Sequence, residues 1–148
     1  MNKKLLSLLV ALFATTALVA ACGGDDDSSS DEPAPTKAAY ITEADGICSD
    51  GSTTIQDIQA DLPSQDINDP AVQEIITNEV LPVYDEQLNS LRDLTPPEGD
   101  EEATAAIYDA LESALQAVED DPAAIGEASA FQEANTLAAD YGLTVCGS

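Results

Sequence analysis

From about residue 40 onward, apolar residues recur at spacings of three and four, the period of helices that bury one face. Ala44, Ile47/Cys48, Gly51, Ile55, Ile58 and Leu62 form a first stripe and predict a helix over roughly 43–61. Ile41, Thr42 and Glu43 read as its staple and cap, and Pro63 as its stop. Gly46 and Gly51 each weaken that helix by about 1 kcal/mol relative to Ala, and Gly51, lying on the stripe, suggests a close helix contact. A second helix opens at Asp69-Pro70, a capping residue followed by Pro at the first helical position. Its stripe runs through Val72, Ile75/Ile76, Val80, Val83/Tyr84, Leu88, Leu91 and Leu94 to Pro96-Pro97, and Pro82 should kink it near Asn78–Leu81 or split it in two. Ala103, Ile107, Ala110/Leu111, Ala114 and Val118 predict a third helix that stops before Asp120-Asp121-Pro122. Ile125, Ala128, Phe131, Asn135, Ala138 and Tyr141 predict a fourth, with Gly142 as a left-handed C-cap and Leu143 as its apolar partner. No stretch alternates polar with β-branched residues. The expected fold is therefore all-α: a small antiparallel four-helix bundle with a kinked second helix, spanning residues 40–148.

The N-terminal pattern differs. Lys3 and Lys4 precede an uninterrupted run of apolar and small residues, Leu5 to Val19, which suits a signal-peptide core and is short for a membrane span of ~20 residues. Val19-Ala20-Ala21-Cys22 resembles a bacterial lipobox, with Val in place of the commoner Leu at its first position. The resemblance implies that residues 1–21 are removed, that the Cys22 thiol carries diacylglycerol, and that the chain is held at the extracytoplasmic face of the cell membrane. Two acyl chains suffice for stable anchoring, at ~0.8 kcal/mol per buried CH₂. Residues 22–39 (Cys22 followed by Gly23-Gly24-Asp25-Asp26-Asp27 and a Ser-, Asp- and Pro-rich stretch) hold no large apolar side chain and read as an acidic, disordered tether until Tyr40. Its carboxylates lack the spacing and turn glycine of a calcium loop.

Charge narrows the partners. Once the leader is gone, only Lys37 and Arg92 oppose 29 acidic residues. Such a surface repels nucleic acid and anionic headgroups, so membrane attachment is expected through the lipid anchor alone. With no Trp and 4% aromatic residues, the core should be built mainly from Ala, Leu, Ile and Val.

Setting aside Cys22, two cysteines remain, and an even pair in an exported chain predicts a Cys48–Cys146 disulfide. A loop of that length is worth about 4.7 kcal/mol in the chain-entropy model and ~2–4 in practice. A reactive thiol pair finds no Lys, Arg or His nearby in sequence to activate it. The segments Ala44-Asp45-Gly46-Ile47-Cys48, Leu91-Arg92-Asp93-Leu94-Thr95-Pro96-Pro97 and Tyr141-Gly142-Leu143-Thr144-Val145-Cys146 resemble marks of small exported proteins of high-GC Gram-positive bacteria. That resemblance implies a disulfide-stapled helical domain and no assigned activity.

Catalysis finds little material. There is no His, no phosphate-cradling loop with a Lys, and no Ser with a partner base. With both domain cysteines paired, no thiolate is left to bind zinc. The carboxylate pairs Asp85-Glu86, Asp100-Glu101-Glu102 and Asp120-Asp121 fall on polar faces and loops. Arg92 is expected to pair with an acid, although a lone Arg is also able to hold an anionic ligand. Asn135 breaks an apolar stripe, and Tyr84, Tyr108 and Tyr141 are expected to place their rings in the core and their hydroxyls at its rim. No metal and no cofactor is expected. The reading is a monomeric, non-catalytic, membrane-anchored module that binds a partner protein or another envelope component; the alternative is a carrier of a small apolar ligand or lipid between its helices, and a simple spacer or stability protein is the weakest option. An exposed apolar face would mark the first and a closed cavity of several hundred Å³ the second.

Overall fold

Thr36 starts the domain. In the computed structural model, which describes residues 34–148, its hydroxyl accepts a hydrogen bond from the Ala39 amide (3.2 Å) and caps helix α1, Lys37–Ala60. The expected start near residue 43 is thus corrected. Thr42 lies inside the helix with its hydroxyl donating to the Ala38 carbonyl (2.9 Å), and α1 reaches back past the boundary expected at residue 40. Tyr40, 1% exposed, adds one turn to the buried stripe, which continues through Ala44, Cys48, Gly51 and Ile55. The expected signal peptide (1–21), Cys22 and the tether up to residue 33 lie outside the described residues.

Asp69 caps α2, Pro70–Ile75, by accepting from the Ala71 amide (3.0 Å), with Pro70 in the first turn as the sequence predicts. The segment Ile76–Val80 is π-helical, and α3, Leu81–Arg92, follows directly. Pro82 has no N–H to offer the carbonyl four residues back, and the Leu81 amide reaches five residues back to Ile76. α3 stops at Arg92, short of Leu94, which is only partly buried. α4, Glu101–Asp120, buries Thr104, Ile107, Tyr108, Ala114, Leu115 and Val118, whereas Ala103 of the expected stripe is exposed.

The largest departure follows α4. Residues 122–126 form a 3₁₀ turn capped by Asp121, whose carboxylate accepts from the Ala123 amide (3.1 Å), and α5 covers only Gln132–Tyr141. Gly126 and Ser129 are poor helix formers, and Ile125 and Phe131 reach the core as separate anchors. Gly142, at φ 111°, then closes α5 in a Schellman turn: Leu143 N–H donates to the Ala138 carbonyl (2.9 Å), and Leu143 is 1% exposed.

The described residues are all helical or irregular, with no strand among them. α1 packs on α3, α3 on α4, and α4 on α5. At Gly51 the α1 backbone passes so close to Gln87 of α3 that a Cβ would collide with the Gln87 side chain. The core is aliphatic with a tyrosine heart, since Tyr40, Tyr108 and Tyr141 all join it, which composition did not suggest. A disulfide joins Cys48 in α1 to Cys146, with Cα atoms 5.2 Å apart across 98 positions. Glu32–Ser148 is a compact unit that contains the described core and both ends of the disulfide, which is what independent folding requires. No helix of the described residues is long and apolar enough to cross a membrane.

Candidate functional site

Around the disulfide, α1 and the C-terminal turn are tied by one carboxylate. Asp45 accepts from the amides of Thr144 (3.0 Å), Val145 (2.9 Å) and Cys146 (3.3 Å) and from the Thr144 hydroxyl (2.9 Å). Desolvation alone would raise its pKa; these four donors overcome that and hold the carboxyl below its ordinary value. The first and last resemblance segments therefore meet in space, through Asp45 as well as through the disulfide.

Tyrosines build a second polar knot. The Tyr40 and Tyr108 hydroxyls bond to each other, and Tyr141 donates to Asp100 (2.8 Å). Asp100 also faces Lys37 (3.8 Å), whose ammonium lies 3.8 Å from the centre of the Tyr141 ring. Burial, reinforced by the Tyr40 and Asp100 partners respectively, pushes the Tyr108 and Tyr141 hydroxyls well above the usual phenol range. The Tyr108 hydroxyl lies inside the fold, where the sequence reading had placed it at a rim, whereas the Tyr141 hydroxyl meets the partly exposed Asp100 at the rim as expected; both stay protonated at physiological pH. Asp100 occupies the N-cap position of α4 without capping it, because its side chain serves this knot.

Between the knot and the disulfide lies a cavity of about 260 Å³. Gln87 of α3 and Asn135 of α5 bring two amides to its wall, Ser52 and Ser148 add further polar groups, and Leu91, Ile107, Tyr108 and Ala138 supply apolar surface, so that polar and apolar groups share the lining. Asn135 was visible in the sequence as a polar break in a stripe; Gln87, three residues after Tyr84 and four before Leu91, carried the same signal and was missed. A second cavity of about 280 Å³ is walled by Ile55, Ile58, Val72, Ile76, Val80 and Ile125. Tyr84 and Phe131 line both cavities, and their rings stack at 5.4 Å and 21°. Burial raises the Tyr84 pKa. Among the described residues no charged side chain lines either cavity, in a chain with 22% charged residues.

The other candidates lie elsewhere. Arg92 pairs with Glu112 (2.8 Å) and faces Asp109 (3.8 Å), in a hollow of about 420 Å³ that Asp85 and Glu119 also line. Its hydrogen bond to Glu112 raises the guanidinium and lowers the Glu112 carboxyl. Glu86, Glu101, Glu102 and Asp120 are exposed, and the described residues contain no cluster of three His, Cys, Asp or Glu placed to hold a metal. The two cavities thus offer hydrogen bonding from amides and hydroxyls together with apolar contact, and no charged side chain among the described residues lines them. Set beside known proteins, the chain matches no family model, no curated protein and no solved structure.

Proposed function

We propose that this chain is a lipid-anchored, non-catalytic carrier that holds a small, mostly apolar ligand between its helices on the outer face of the cell membrane. One observation carries the reading: in a strongly acidic protein, no charged side chain among the described residues lines either of two adjoining inter-helix cavities. Small-molecule sites are concave, mainly apolar and furnished with a few polar groups, and Gln87, Asn135 and Tyr84 are such groups here. The domain is read as a small antiparallel four-helix bundle whose second helix kinks at Pro82, a reading supported by the π segment and by the packing of α1 on α3 and α3 on α4. Signal peptide and lipobox support anchorage through Cys22, with membrane contact confined to the acyl chains.

Docking onto an envelope protein is the competing reading. It calls for an exposed apolar face, and among the described residues Val145 is the only exposed large hydrophobic side chain.

Two experiments test the two halves. Fatty-acid labelling of the exported full chain should mark the wild type and not Cys22→Ala; label retained in the variant refutes the anchor. Titration of Glu32–Ser148 with a neutral naphthylamine fluorophore should give one saturable site. Leu111→Trp, which fills the amide-bearing cavity from a half-buried wall position, should weaken it at least tenfold with helical content unchanged. Equal binding by the filled variant contradicts the carrier.

A further inference from the structure

We infer that the two cavities form a single tract for a neutral, amphipathic, long-chain ligand, with its hydrogen-bonding head between Gln87 and Asn135 and its aliphatic tail beyond the Tyr84–Phe131 stack. This rests on the carrier reading and names its ligand class.

The division of chemistry comes first. The cavity next to the disulfide carries both amides and Ser52, whereas the walls of its neighbour are branched aliphatics with Gln59 and Tyr84 as the polar exceptions. A molecule polar at one end and aliphatic at the other satisfies both halves at once. A wholly apolar molecule would leave the amides without partners, and a wholly polar one would waste the Ile and Val walls.

Charge then restricts the head. A carboxylate or phosphate would find no cation: Lys37 is engaged by Asp100 and the Tyr141 ring, and Arg92 by Glu112 and Asp109. It would also approach through the field of 29 acidic residues. A cationic head would be drawn to that field, but no Asp or Glu side chain of the described residues lines the tract, and the head would lose its hydration there. The head that fits is neutral, an amide or an alcohol.

The partition is suited to opening. Two stacked rings, one from α3 and one from the residue just before α5, form a wall with no covalent or ionic tie across it. Phe131 sits at the N-cap of α5, where no side chain caps the helix, and follows the turn after residue 126. Its ring is therefore able to swing aside without disrupting a helix interior. The amide cavity borders the Cys48–Cys146 bridge and the aliphatic one does not, so the head end is the covalently braced end.

Calorimetric titration of Glu32–Ser148 with straight-chain primary amides of increasing length tests this. Each added methylene should tighten binding about fourfold, the factor that ~0.8 kcal/mol per CH₂ corresponds to. Carboxylates of equal length should bind at least tenfold more weakly at neutral pH. Ile58→Trp and, independently, Ile125→Trp plug the aliphatic cavity from half-buried positions. Both should leave the shortest amides within twofold of wild type and abolish the gain with length. Asn135→Leu should weaken all amides by a similar factor. A length gain that persists in both plugged variants, or carboxylates that match the amides, overturns the tract. Short amides that bind with no gain from lengthening also overturn it, while leaving the carrier standing; if neither amides nor the fluorophore bind, the carrier itself falls.

Discussion

A single carboxylate accepting four donors from the last turn of the chain is the strongest polar contact around the disulfide. Hydrogen bonds to a charged acceptor are worth more than neutral ones, so Asp45→Asn should cost about 1–3 kcal/mol near neutral pH. Because the folded-state pKa lies below the ordinary value, this contribution is complete above the unfolded carboxyl's pKa of ~4 and fades as pH falls through the lower folded value. Thermal melts of both proteins from pH 7 to pH 2 should therefore converge at the acid end; a gap that is constant with pH would mean the Asp45 charge plays no part. Asp45 was in view within the Ala44–Cys48 segment, but sequence spacing says nothing of what a side chain meets a hundred positions away. The same holds for Tyr40, whose burial depends on Tyr108 and Tyr141 arriving from other helices. Gln87 and Asn135 left a local trace as polar breaks in apolar stripes, while their convergence on one cavity is purely tertiary.

Element ends were readable wherever local backbone chemistry decides them. Asp69-Pro70, the interruption near Pro82 and the Gly142-Leu143 stop each follow from a missing N–H, a side-chain cap or a left-handed residue. The start of α1 and the stretch after Asp121 were misjudged for a shared reason. Thr36 and Thr42 offer equivalent capping hydroxyls, and a 3₁₀ turn with one apolar anchor mimics the first turn of a helix. Two glycines test this account of the elements. A Cβ at Gly46 would meet nothing within 4 Å, so Gly46→Ala should raise stability by about 0.5–1 kcal/mol through helix propensity. Gly142→Ala, at φ 111° with the Ile41 Cδ1 at 3.2 Å, should lower stability by about 1 kcal/mol or more. Denaturant midpoints of the two variants should move in opposite directions; a stabilised Gly142→Ala would contradict the left-handed cap.

At the scale of the domain, the described residues form a small core of aliphatic side chains around three tyrosines inside an acidic surface, with Lys37 and Arg92 as the basic residues that follow the expected cleavage point. Folding concentrates the repulsion of that surface, and salt relieves it as the Debye length falls from ~30 Å at 0.01 M to ~10 Å at 0.1 M. Sodium chloride over that range should raise the melting temperature of Glu32–Ser148 by several degrees, at about 4 °C per kcal/mol. Calcium should act the same way without one tight site, and calorimetry that found sub-micromolar one-to-one calcium binding would overturn the diffuse reading of the charge. Anchorage and cargo meet in one measurement, native mass spectrometry of the full chain extracted from the envelope that exports it. The account predicts a chain beginning at a diacylglyceryl Cys22, carrying one neutral adduct that denaturation releases. A chain lacking the acyl mass, or an acylated chain free of any adduct after gentle extraction, would contradict it.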